Sequence, residues 1–158
     1  MYIKELVLMY GIAHRVLIRN LKEISDEESL TFMQPGGNCI NWVVGHILVS
    51  RNDLLVKLGK DSIINDEYYT LYKRGTEGNI NYSAFPLSGM VEILNESIDS
   101  VMKAIEMIKY EDLKEVDHTG ESDDNIVGEL AFFHFHESYH IGQVGILRRL
   151  LGKEGVIR

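Results

Sequence analysis

The sequence predicts an all-α protein, a four-helix bundle, on three observations. Apolar residues recur at spacings of three and four along four long stretches, the period of a helix that buries one face. The strict alternation of a half-buried strand is absent. Proline, the residue that interrupts helix interiors, occurs only 2 times in 158 residues. Helices with one apolar stripe each bury those stripes against one another.

The first long helix is expected from Tyr2 to Ile24, with Leu6, Tyr10, Ala13, Leu17, Leu21 and Ile24 as its stripe. Ser25 then caps a short extra helix, and Glu28, three residues on, completes a capping box. Pro35, Gly36 and Gly37 end it. The second long helix is expected from Asn38, a good N-cap, to Gly59, a helix-ending glycine. Its apolar residues, Ile40, Trp42, Val43, Val44, Ile47, Leu48, Leu54 and Leu55, surround most of its circumference, so it belongs at the centre of the fold. Residues 60–87 show no sustained period and carry Tyr68, Tyr69, Tyr72, Tyr82, Gly75, Gly78 and Pro86. A link this long inside a compact domain is uncommon and often functional. It is also long enough to cross a bundle, so that the helices before and after it run parallel. The third long helix spans Ser88 to Ile108 on Val91, Leu94, Ile98, Val101, Ile105 and Ile108. A polar link covers 110–123. The fourth helix runs from Asp124 to Leu151, with acidic residues at its positive end and Arg148 and Arg149 at its negative end.

The length fits one domain, residues 1–158, able to bury roughly 70% of its unfolded surface. Hydrophobic residues make up 45% and charged residues 25%, an ordinary globular balance. The net charge of -8 argues against nucleic acid, which needs a basic face, and against anionic membranes. Cys39 is the sole cysteine, so no intramolecular disulfide is possible, which fits a reducing compartment. No signal peptide and no membrane-length apolar run is visible. The expectation is a soluble cytoplasmic protein.

Six histidines are present, and the informative group is His134-Phe135-His136-Glu137-Ser138-Tyr139-His140. On a helix His136 and His140 share a face and can offer two imidazoles to one ion. His134 points to nearly the opposite side and does not join them. A third ligand must come from another helix. His46 is the best candidate, because it lies among Val43, Val44, Ile47 and Leu48, where an unsatisfied polar ring would cost ~1 to 3 kcal/mol. Metal ligation would satisfy it; so would a hydrogen bond to a carboxylate or carbonyl. The spelling His136-Glu137-Ser138-Tyr139-His140 also matches H-E-x-x-H, in which Glu137 would be the general base of a metalloprotease. A short all-helical chain offers that reading no strand on which to lay a peptide.

Two stretches resemble the DinB/YfiT-like superfamily of small helical metalloproteins. One is Asn38-Cys39-Ile40-Asn41-Trp42-Val43-Val44-Gly45-His46-Ile47. The other is His136-Glu137-Ser138-Tyr139-His140-Ile141-Gly142-Gln143, followed by Leu147-Arg148-Arg149. Both stand in the right order, and with the helix count and the long link the resemblance spans nearly the whole chain. It implies that His46, His136 and His140 bind one divalent metal, and that the bundle is up-down-down-up, with 60–87 as the crossover. It also implies a homodimer, as does the apolar pattern of the first helix.

Around the site, Glu137 either supports the ligands from behind or faces solvent. Gln143 is read as a helix-packing residue, with a hydrogen bond near the metal as the alternative. Gly142 and Gly145 either allow close helix approach or are simply tolerated. Trp42 is read as core, otherwise as a pocket wall. Cys39, two turns before His46 and ~10 Å away, is too far to share the metal and is expected to be buried. His14 is read as hydrogen-bonded or on the surface, and His118 as exposed. The loop tyrosines either form a lid or pack over the bundle end.

Three neutral imidazoles leave a coordination position open, as in catalytic rather than structural sites. The superfamily resembled includes enzymes that use low-molecular-weight thiols, as S-transferases or in maleylpyruvate isomerisation. The expectation is therefore a metal-dependent transferase acting on a small thiol and an electrophile. The competing expectation is a non-catalytic metal-binding or stress-induced protein, and a metal-dependent hydrolase comes third. Imidazole ligands suit Zn, Ni or Fe and do not choose among them.

Overall fold

The structure, a computed structural model, describes residues 3–32, 37–76, 84–109 and 126–157. All regular elements among the described residues are helices: α1 (Ile3–Leu21), α2 (Asp26–Ser29), α3 (Ile40–Lys57), α4 (Asp66–Tyr72), α5 (Leu87–Glu106) and α6 (Ile126–Leu150). The four long ones form the bundle. α1 packs on α5 and α6, and α3 packs on the same two. α1 and α3 therefore sit on one diagonal, α5 and α6 on the other.

The apolar core gives the helix directions. One cluster joins Leu6 and Tyr10 near the start of α1 to Leu54 and Leu55 at the end of α3. It also holds Val101 and Ile105 at the end of α5 and Leu130 near the start of α6. The other cluster joins the opposite ends: Leu17 and Leu21, Val43 and Val44, Leu87 and Met90, Ile141 and Val144. α1 and α6 thus run one way, α3 and α5 the other, which is the expected up-down-down-up order. Side chains such as Leu48 and Leu55 are fully buried, and truncating one to alanine typically costs about 2–5 kcal/mol.

α3 is buried on nearly its whole circumference, as its all-round apolar pattern requires. It starts one residue later than expected. Cys39, not Asn38, is the N-cap, its Sγ accepting from the Trp42 N–H at 3.5 Å. Ser25 and Glu28 form the expected capping box. α1 stops at Leu21 rather than Ile24. Glu23 takes a positive φ of 62°, and the carbonyls of Asn20 and Lys22 turn to the buried Arg148 guanidinium at the end of α6. Pro35, Gly36, Gly78, Tyr82, Asp124, His118 and the 110–123 link lie outside the described residues.

The crossover is not structureless. α4 forms within it, capped by Asn65, whose side chain accepts from the Tyr68 N–H. Tyr72 is buried against α3, where its hydroxyl donates to Asn41 Oδ1 at 2.8 Å and accepts from the Phe85 N–H at 3.0 Å. The Asn41 amide in turn donates to the Phe85 carbonyl at 2.8 Å. Tyr68 is also buried, so these two tyrosines are packing residues rather than a lid. No helix among the described residues is long and apolar enough to cross a membrane.

Candidate metal centre

α3 and α6 are antiparallel neighbours, and their contact brings His46 against His136 and His140. Each ring offers a nitrogen such that the three lie within 4.8 Å of one another. The ring centroids are 5.1 Å (His46–His136), 5.0 Å (His46–His140) and 4.5 Å (His136–His140) apart. Among the described residues no fourth histidine, cysteine or acid joins the group.

The outer nitrogens are all engaged. His46 Nδ1 lies 2.8 Å from the Tyr72 carbonyl. A carbonyl only accepts, so His46 Nδ1 carries the proton and Nε2 the lone pair. His140 Nδ1 lies 2.7 Å from Gln143 Oε1, and His136 Nδ1 lies 3.1 Å from Ser50 Oγ. With His136 in the same tautomer, donating Nδ1–H to Ser50 Oγ, three Nε2 lone pairs converge; with the Ser50 hydroxyl donating instead, His136 Nε2–H points at His140 Nε2. His136 Nε2 and His140 Nε2 are 3.1 Å apart. In the first tautomer the two lone pairs need a cation between them; in the second the pair is a hydrogen bond. Imidazoles on a tetrahedral ion at ~2.0–2.1 Å would have their nitrogens about 3.3 Å apart, so the donor set fits a metal of that size.

Burial holds His136 and His140 neutral, the form that coordinates metal. It pushes His136 down to about 4, with the charges of His140, His46 and Arg74 adding to the effect. His140 is lowered by burial too, and by His46, against the raising effect of its bond to Gln143.

Aromatic rings wall the site. Trp42 stacks on His46 at 4.9 Å and 13°, so it is both core and wall. Phe132 stacks on His136 at 6.0 Å, and Tyr139 meets His140 edge-on at 5.4 Å. Phe132 and Tyr139 are mostly exposed, which leaves the triad approachable along α6.

Glu137 does not face solvent. It is buried and pairs with Arg51 at 2.5 Å, while Arg51 also donates to the Leu94 carbonyl and Ser97 Oγ of α5. Gln143, read from sequence as a packing residue, instead holds His140. Gly142 has open space where a side chain would be, and Gly145 only ordinary contact with Asn20; neither is a point of close approach. Gly45 is: a Cβ there would lie 2.2 Å from the Tyr72 ring. His134 packs on Tyr10 on the α1 side of α6, away from the triad as expected. His14 is half-buried, its pKa lowered by burial and then by Arg51. Cys39 is buried and its thiol pKa raised by that burial.

Sequence reasoning missed Ser50, Gly45, Arg51 and the Tyr72 carbonyl. Ser50 carried a signal, since it lies one helical turn after His46 on the same face. A groove of about 490 Å³ runs between α1 and α6, lined by Ile12, His134, Ser138 and Ile146 among others, but it includes none of the three histidines.

No protein-family model matches the chain, and no curated protein is significantly similar to it. Its fold is similar to that of a conserved protein from Enterococcus faecalis known from a crystal structure, at 17% identity over 95% of this chain and 97% of that one, with a TM-score of 0.73. That likeness is one of fold.

Proposed function

We propose that this chain is a DinB/YfiT-like metalloprotein in which His46, His136 and His140 hold one divalent ion through Nε2, and that it transfers a small thiol to an electrophile. The observation that carries the metal reading is the set of three outward Nδ1 partners, the Tyr72 carbonyl, Ser50 and Gln143. Such partners fix tautomer and ring direction in metal sites. When bound, an ion with an open position would stabilise a coordinated thiol as its thiolate.

The side chains around the triad support an external nucleophile. Cys39 is spent on capping α3, and Ser50 is bound to His136. Glu137 is committed to Arg51, which takes away the general base that the hydrolase reading requires. The walls formed by Trp42, Phe132 and Tyr139 suit the apolar part of an electrophile. Zn, Ni and Fe all remain suitable ions.

The competing reading, a metal that only ties α3 to α6, requires a fourth protein ligand. The test is elemental analysis of tag-free protein followed by cobalt substitution. About one divalent ion per chain, lost in His136→Ala, is expected. A thiolate-to-metal charge-transfer band on adding thiol supports transfer chemistry. Metal content unchanged in both His46→Ala and His140→Ala overturns the site. The second copy expected from the sequence stays a proposal, supported by exposed Leu8 and Ile12 on α1 and Ile146 on α6; sedimentation at 18.1 kDa would overturn it.

A further inference from the structure

The turn after α4 is pinned beside the triad at both of its ends. Before it, the Tyr72 carbonyl takes the His46 Nδ1–H at 2.8 Å. After it, Thr76 Oγ1 takes the Trp42 Nε1–H at 3.0 Å, and Trp42 is the ring stacked on His46. The turn closes on itself, with Thr76 donating from both N and Oγ1 to the Lys73 carbonyl and Gly75 supplying a φ of +87°. Arg74 is therefore carried on a rigid loop at the rim of the site. It is exposed, and it has no ion-pair partner among the described residues, in a chain with 24 acidic and 16 basic residues. Arg74 stands two residues from each pinned end, Tyr72 on one side and Thr76 on the other.

We propose that Arg74 recognises an anionic group on the molecule taken at the open face of the triad, and that this group is a carboxylate. An arginine fork matches a carboxylate in shape as well as charge. The inference rests on the metal-site reading and adds to it the class of ligand: a small thiol bearing a carboxylate on its Trp42-side arm.

Three thiols with the same two-methylene spacer and different end groups test it: 3-mercaptopropionate, 2-mercaptoethanol and cysteamine, titrated into cobalt-loaded protein by absorption. The quantity read is the ratio of affinities between wild type and Arg74→Gln for each thiol, which cancels their different acidities. Arg74→Gln should weaken 3-mercaptopropionate roughly fivefold at low salt, with the loss shrinking as salt is added. 2-Mercaptoethanol should change little, and cysteamine should be unchanged or tighter. Arg74→Lys should restore part of the loss. Equal changes for all three thiols, or none, overturn the proposal while leaving the metal site standing. A protein that takes up no cobalt overturns the metal reading, and this one with it.

Discussion

The Tyr72 carbonyl accepts the Nδ1–H of His46 at 2.8 Å, so the backbone of the crossover, not a neighbouring side chain, aims the one histidine that α3 contributes to the triad. The approach is possible because residue 45 has no side chain. A Cβ there would meet the Tyr72 ring at 2.2 Å, a rigid group with no room to move.

Gly45→Ala should therefore damage the site without touching a ligand. In an unconstrained helix the change would add about 1 kcal/mol of stability. Here the displaced ring should reverse the sign and cost about 1–3 kcal/mol. Metal affinity should fall about 10–100-fold. Urea denaturation and chelator competition measure the two, and a stabilised variant with wild-type affinity would contradict the account.

Gln143→Ala separates affinity from folding. Gln143 is half-exposed and its described contact is to His140. Metal affinity should drop by about 10-fold or more, while the metal-free protein keeps its stability to within about 0.5 kcal/mol. Loss of stability equal to the loss of affinity would show that Gln143 is a packing residue after all.

Arg51 and Glu137 form a buried ion pair, and removing one partner strands the other's charge. Arg51→Met or Glu137→Leu alone should cost about 3–5 kcal/mol, and the two together much less than the sum. Glu137→Gln should leave metal content near one ion per chain, because Glu137 faces Arg51 rather than the triad. A double-mutant cycle with no coupling would remove the pair from the stability account.

Acid should loosen the metal-free protein. Burial lowers His136 to about 4, from an ordinary value near 6.5, and lowers His140 in the same direction. Above the ordinary value both states are neutral and nothing is lost. As pH falls below it, the unfolded chain takes up protons that the folded rings refuse, so stability declines from about pH 6.5 down to about 4. A urea midpoint that is flat across that window would contradict the burial of these rings.

The four long helices were legible because each carries a stripe of period near 3.6, and α3 was legible as central because its apolar residues go all the way round. α4 was not, since seven residues are too few for a period and its tyrosines also suit a loop. The early end of α1 depends on Arg148, a residue more than a hundred positions away, reaching the carbonyls of Asn20 and Lys22. In the site, the His136–His140 pair follows from helical spacing alone. Their outer partners do not follow so simply. Gln143 lies on the same helix but had two physically sensible uses. Ser50 had only its spacing of one turn from His46 to mark it, and the Tyr72 carbonyl acquires meaning only once α3, α4 and α6 are packed.

If the proposed site is loaded, the placement of its three histidines on α3 and α6 has a consequence for the order in which the molecule matures. A growing chain presents His46 long before His136 and His140 exist, and one imidazole holds a divalent ion only weakly. The full donor set appears when the sixth helix docks against the third, a contact between distant parts of the chain and so among the slower ones to form. An ion captured then favours the docked arrangement over every partly assembled one by mass action. Metal uptake would report that assembly is finished, and it would hold closed one of the two interfaces, with α1 and with α3, that a bundle without α6 lacks.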